Sequence, residues 1–234
     1  MNSEALNSSR KSEKESHIEI YSTAKLFESG SWLQKPVKTV TDLLEHFKNY
    51  KEFNVLDLGC GVGRNCIPIA KEFKSNCSID CVDILDFAIE ELKKNSIEFG
   101  VENEINSIVS SIDEFQIKEN NYDLIIAVSA LEHVDSVESF KSKLIEICNG
   151  TRKNGIVCLI INSEIKEINK ETGEKLIPQF EVNLKTRKLL DLLNDAFNGW
   201  DIIKSTVRNQ RYDIPRQKCV ADLSTDVVTF VAKK

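Results

Sequence analysis

The segment Val55-Leu56-Asp57-Leu58-Gly59-Cys60-Gly61-Val62-Gly63-Arg64-Asn65 constrains the fold more than any other stretch of the chain. It opens inside a short apolar run, FNVLDLG, of the kind that forms a strand buried on both faces. It then passes through three glycines into a run with Ile67, Ile69, Ala70 and Phe73 apolar, which predicts a helix over about residues 64–73. Pro68 falls in the first turn of that helix, where the N–H groups have no helical partner to lose. A strand that turns on glycines into a helix lets a ligand approach the backbone N–H groups closely, since no Cβ stands in the way. Such a turn belongs in an open parallel sheet, where ligands lie at the carboxyl ends of the strands.

The flanking sequence supplies that sheet. SIDCVDI (78–84) reads as a second strand, and Asp86 as the cap of the helix FAIEELKKN behind it. NSIVSSI (106–112) is a third strand and YDLIIAVSA (122–130) a fourth. Asp135 with Glu138 forms a capping-box signal for the helix VESFKSKLIEICN, and Gly150 suits its end. Asn154-Gly155 turns into a fifth strand, GIVCLIIN. Strands alternating with helices mean a parallel sheet covered on both faces. Upstream, Pro36 starts a helix that carries Val40, Leu43, Leu44 and Phe47 on one face. Downstream, residues 163–183 read as irregular and charged, and 186–197 as a helix with Leu189, Leu190, Leu193, Ala196 and Phe197 inward. WDIIKSTV, a loop with Arg208, Arg211, Pro215 and Arg216, and a last strand DVVTFVA complete the chain. With only a loop between them, these two strands should pair antiparallel.

A length of 234 residues suits one such domain. A formal net charge of -6 argues against general nucleic-acid binding, which needs a basic excess. The seven cysteines are odd in number and lack CxxC spacing, so they read as reduced thiols in a cytoplasmic protein rather than as a disulfide or zinc framework. Residues 1–16 lack the apolar core of a signal peptide and read as a mobile tail. No apolar run approaches the ~20 residues of a membrane span. Residues 17–36, with Tyr21, Phe27 and Trp32, read as short helices packed on the rest.

The glycine pattern decides between ligands. A dinucleotide fingerprint, GxGxxG, would place its third glycine at position 64, which is Arg64. The pattern here, GxGxG with Asp57 two residues ahead, resembles motif I of the class I S-adenosyl-methionine-dependent methyltransferases. Four other features agree. Asp83 ends strand two, where a carboxylate accepts both ribose hydroxyls, and Ile84 follows it. Ile112 follows strand three. AVSALEHV (127–134) is similar to the strand-four segment of small-molecule methyltransferases. The antiparallel last strand matches the family's reversed hairpin. GRN after the glycines, with Trp32 and Lys35-Pro36 upstream, resembles a tellurite-resistance-like bacterial subgroup.

The resemblance implies a Rossmann-like, doubly wound α/β sheet of seven strands in the order 3-2-1-4-5-7-6, mostly parallel with one antiparallel C-terminal strand. It implies a single domain over 37–234, with substrate-shaping insertions at about 163–183 and 205–222. The cofactor would be S-adenosyl-methionine, leaving S-adenosyl-homocysteine, with no metal. Asp57, Gly59, Cys60, Gly61, Gly63 and Asn65 would hold it at the loop. Asp83 would grip the ribose, with Ile84 and Ile112 against adenine. Ser111 stands where the family carries an Asp for the adenine amino group, and Asp113 is the nearby substitute. Ser129 and Ala130 would line the methionine end. Tyr21 and Trp32 would form a lid, with Glu132, Arg208 and Arg211 toward the substrate, a small-molecule acceptor. Arg208, Arg211 and Arg216 read first as solvated loop charges, and second as guanidinium forks for an anionic substrate. His133 is the candidate general base, because its ordinary pKa lies near neutrality, and a thiolate acceptor would need none. SALE replaces the NPPY-type motif of amino-methylating nucleic-acid enzymes. The alternatives are a non-catalytic S-adenosyl-methionine or homocysteine binder and a nicotinamide-dependent oxidoreductase. The protein is expected to be a monomer or homodimer.

Overall fold

A computed structural model of the chain describes Ile18, residues 20–216 and residues 219–234. The expected tail over residues 1–16 lies outside the described residues. Five strands run parallel: β1 (Phe53–Leu58), β2 (Cys77–Asp83), β3 (Ile105–Val109), β4 (Tyr122–Val128) and β5 (Thr151–Asn169). Two long strands, β7 (Asp201–Arg216) and β8 (Cys219–Lys233), close the sheet in the order β3-β2-β1-β4-β5-β8-β7. A two-residue strand, β6 (Lys175–Leu176), pairs with β5. The expected seven-strand order is therefore present with one short strand added. β8 runs antiparallel to both of its neighbours, as the missing crossover helix demands.

Alternate side chains of the strands feed two cores. Val55, Ile79, Leu124 and Ile126 face the helices α1 (Lys38–Leu43), α2 (Cys66–Phe73) and α3 (Asp86–Glu98), with Val40, Phe47, Ile67 and Leu92 packed among them. Leu56, Leu58, Val82, Ile125 and Ala127 face α4 (Val137–Gly150) and α5 (Thr186–Ala196), meeting Phe140, Leu144, Leu189 and Leu193. The strands are buried on both sides, which explains their near-continuous apolar sequence. No helix among the described residues is long and apolar enough to cross a membrane.

Several local expectations need correction. Asp86 is the first residue of α3, and the cap position is Leu85, whose N–H is taken by Asp83 Oδ1 at 2.9 Å. The cap of α4 is Ser136, which accepts from Ser139 N at 3.0 Å, one residue past the expected Asp135 box. The helix placed at 64–73 begins at Cys66, and the one placed at Pro36 begins at Lys38. The third strand stops at Val109, so Ser111, Ile112 and Asp113 occupy the turn behind it.

The largest difference lies beyond the core. The irregular segment expected from 163 is strand as far as Asn169, and the loop expected over 205–222 is the β7–β8 hairpin. Here β5 and β8 continue together past a register shift between Ser163 and Lys166, as far as Asn169 opposite Ala221. Backbone ladder bonds hold this projection, and exposed charges decorate it, so the sequence shows no apolar alternation to announce a strand.

Candidate functional site

The three glycines of the loop adopt positive φ, at 72° for Gly59, 53° for Gly61 and 102° for Gly63. All three are also closely packed, and a Cβ on Gly63 would stand 2.7 Å from Ile67 Cδ1. A Cβ on Gly59 would stand 2.5 Å from Ala130 Cβ, and one on Gly61 would stand 2.8 Å from Tyr21 Oη. These contacts bring three distant pieces of sequence together: the loop, the end of β4 and the N-terminal segment. The loop is anchored to β2, where Val82 O accepts from Gly59 N at 2.8 Å and from Cys60 N at 3.0 Å.

Asp83 sits at the carboxyl end of β2 and is buried. Its Oδ2 accepts from Gly61 N at 2.9 Å while Oδ1 accepts from Leu85 N. The carboxylate is thus fixed by backbone on either side. Beside it opens a cavity of about 340 Å³ lined by Ile84, Val109, Ser110, Ser111, Asp113, Glu114 and Asp135. Ile84 is 56% exposed at its wall, although a side chain of that kind is usually covered. Asp113 holds its place by accepting from Asp135 N at 3.2 and 3.3 Å. Ile112 instead packs against the core beneath α4.

Asp57 is 1% exposed and its Oδ2 has no hydrogen-bond partner. Burial pushes its pKa up to about 7, with the Arg64 charge pulling it down and the Asp83 charge pushing it further up. Cys60 is buried too, and burial pushes its thiol up to about 12, so it is no ready nucleophile.

The N-terminal segment covers the loop. Tyr21 meets Trp32 edge-on at 5.9 Å, and the Arg64 guanidinium lies 4.8 Å over the Trp32 ring while Nη1 donates to Trp32 O at 3.1 Å. Asn65 Oδ1 accepts from Val37 N at 3.0 Å, which ties the entry of α1 to the loop.

A second polar cluster stands at the carboxyl ends of β4 and β5. Ser129 adopts φ 50°, and Asn162 Nδ2 reaches its Oγ at 3.3 Å. Asn162 also donates through N and Nδ2 to Oε1 of Glu132, a fully buried residue whose Oε2 has no partner. Burial raises the Glu132 pKa. His133 closes the short 3-10 turn Leu131–His133. Its Nδ1 lies 3.1 Å from Glu181 Oε2, and its ring stacks on Phe180 at 4.9 Å. Ala130, packed on Gly59, joins this cluster to the glycine loop.

Of the expected substrate arginines, Arg208 and Arg211 lie on exposed β7, and Arg211 pairs with Asp222 across the hairpin. Among the described residues no hydrogen bond or ion pair joins either to the two clusters. Arg216 forms a buried pair with Glu167 at 2.8 Å. Sequence reasoning missed Asn162, Phe180 and Glu181. Asn162 does carry a signal, as a polar residue ending an apolar strand at the carboxyl edge of a parallel sheet. Glu181 carries none, because its neighbours show no periodicity.

An open α/β sheet with a glycine loop after β1 and a carboxylate ending β2 is an arrangement suited to a ligand at the strand ends, and the comparisons with known proteins say which family it belongs to. A family model described as a methyltransferase domain matches residues 49–211. The chain belongs to that family. A ubiquinone biosynthesis O-methyltransferase of Rickettsia canadensis is 27% identical over 129 residues, 55% of this chain and 50% of that one. A norajmaline N-methyltransferase of Rauvolfia serpentina is 30% identical over 100 residues, covering 42% and 32%. The chain spans about half the length, or less, of these curated relatives. Among solved structures, the 1,6-didemethyltoxoflavin-N1-methyltransferase of Burkholderia thailandensis, with bound 1,6-didemethyltoxoflavin and S-adenosylhomocysteine, aligns with a TM-score of 0.60 at 16% identity. That alignment covers 100% of this chain and 91% of the other, and shows the shared fold.

Proposed function

We propose that this chain transfers a methyl group from S-adenosyl-methionine to a small-molecule acceptor. The observation that carries this reading is Asp83, fixed by Gly61 N and Leu85 N beside the cavity walled by Ile84 and Ser111. The residues present fit each part of the cofactor. Asp83 offers acceptors for a ribose diol, Ile84 offers apolar surface for adenine, and Ser111 and Asp113 offer polar atoms for its edge. The orphaned Asp57 Oδ2 gives the loop a buried acidic group suited to a cationic ligand.

When bound, the sulfonium supplies an electrophilic methyl carbon. The chain's own work is placement. The loop and Asp83 hold the nucleoside, while Tyr21 and Trp32 close over the loop and exclude water. Ser129, exposed, and His133, half-buried, are the accessible members of the second cluster against which an acceptor would lie. The unpaired state of all seven cysteines suits a reducing, cytoplasmic compartment.

Thermal unfolding with S-adenosyl-methionine, S-adenosyl-homocysteine and NADH side by side tests the reading. A ligand at 100 times its Kd should add about 2.7 kcal/mol, a shift of roughly 5–11 °C for a domain of this size. Stabilisation by the two adenosyl ligands alone supports the proposal. Stabilisation by NADH alone, or by none of the three, removes it.

A further inference from the structure

We propose that Asn162 is a positioning residue that holds the Ser129 hydroxyl as a hydrogen-bond donor for the carboxylate at the amino-acid end of S-adenosyl-methionine. This rests on the methyl-transfer reading above. The hydrogen-bond chain begins at an irregularity in the sheet. β5 and β8 are in register at Ser163 opposite Asp226 and again at Lys166 opposite Ser224, so Glu164 and Ile165 together face Thr225. Glu164 takes up the extra residue with φ 47°. Bulges of this kind re-aim side chains. Here Thr225, 1% exposed, turns Oγ1 to Ser163 O at 3.0 Å and to Asn162 Oδ1 at 3.3 Å.

Chemistry fixes the orientation of the Asn162 amide. Its backbone N donates to Glu132 Oε1 at 3.1 Å, so that oxygen is an acceptor. Nδ2 bonds the same oxygen, and only the NH2 end of an amide can donate to it. The Oδ1 end is thereby turned to the Thr225 hydroxyl. One Nδ2 hydrogen goes to Glu132, and the second goes to Ser129 Oγ at 3.3 Å. Ser129 Oγ therefore accepts from Asn162, and no group among the described residues takes its own hydrogen.

Ser129 can offer that hydrogen to a ligand because it is exposed, whereas Glu132 and Asn162 are buried. Its φ of 50° turns the chain out of β4, and its N–H is tied to Ile160 O at 2.8 Å. The last β1–β4 pair is Leu58 opposite Ala127, so Ser129 stands beside the glycine loop, and the next residue, Ala130, packs on Gly59. The nucleoside site lies across that loop, with Asp83 at the end of β2. β1 runs between β2 and β4. A cofactor with its ribose at Asp83 therefore sends its amino-acid end over the loop toward Ser129. A hydroxyl donor there meets the carboxylate of that end and not the ammonium, which has only hydrogens to offer.

Calorimetry tests the assignment with two ligands, S-adenosyl-homocysteine and methylthioadenosine, which carries the same nucleoside and thioether without the amino-acid end. Ser129→Ala is expected to bind S-adenosyl-homocysteine about 10-fold more weakly, and Asn162→Ala about 3- to 10-fold more weakly. The double variant should match Ser129→Ala, because Asn162 acts through that hydroxyl. Affinity for methylthioadenosine should stay at the wild-type level in all three. Additive losses in the double variant, equal losses for both ligands, or undiminished S-adenosyl-homocysteine affinity in Ser129→Ala each overturn the proposal. If Asn162→Ala does not fold, Thr225→Val takes its place, since it releases the Oδ1 end of the amide. A loss of about 3-fold confined to S-adenosyl-homocysteine is then expected, and unchanged affinity overturns the role of Asn162. No binding of S-adenosyl-homocysteine by the wild-type protein overturns the methyltransferase reading instead.

Discussion

Replacing Asp57 by Asn should change the pH dependence of stability more than any other single substitution in the loop. Burial holds the Asp57 carboxyl at about 7 in the folded protein, against 3.8 when exposed. A raised folded pKa means that the stabilisation is complete below pH ~4 and is lost as pH rises through about 7. The difference amounts to about 4 kcal/mol between the two ends of that window. For a domain of this size that is a fall of roughly 8–16 °C in Tm. Asn keeps the shape and cannot ionise. Its amide adds a cost of about 1–3 kcal/mol if it finds no acceptor, but that cost does not vary with pH. Urea unfolding of both proteins at several pH values from 4 to 8 separates the two contributions. The expected result is a variant that loses ground at low pH and gains it steadily toward pH 8. Parallel curves across the window would refute the reasoning, since Asp57 would then ionise alike in both states.

Asp83→Ala removes the acceptor for Gly61 N and Leu85 N, so S-adenosyl-homocysteine affinity should fall by about 1–3 kcal/mol; unchanged affinity by calorimetry takes Asp83 out of the site. Gly61→Val combines a φ of 53° with a Cβ 2.8 Å from Tyr21 Oη, and should abolish binding of that ligand while costing about 1–2 kcal/mol in backbone strain alone. Wild-type binding in this variant would mean that the loop is not where the ligand sits. Far from the site, Tyr122→Phe removes the 2.8 Å bond to Asp80 Oδ2 and leaves that oxygen to Lys118 Nζ at 3.6 Å, and should lower stability by about 1–3 kcal/mol with no effect on ligand affinity. Equal denaturation midpoints would show that bond to be neutral.

The loop and the core were legible in the sequence because each of their signals fits inside a short window. β1, its glycines and α2 are consecutive, and their residues differ sharply in kind: apolar, then glycine, then amphipathic. Capping was legible only to within a residue. Both Asp135 and Ser136 are good caps; in the fold Ser136 takes the cap and Asp135 N donates to Asp113, 22 positions away. The projecting half of β5 was not legible. Ile168 pairs with Asp222 and Glu167 with Leu223, partners that no local window contains. This strand is held by ladder bonds and by the buried Glu167–Arg216 pair rather than by an apolar stripe. The same physics divides the site. The glycine loop and the carboxylate ending β2, which the proposed function assigns to a nucleoside, are each written in a contiguous motif. The polar cluster at the ends of β4 and β5 is assembled across the fold from Glu132, Asn162 and Glu181, whose positions depend on contacts between residues far apart in the chain.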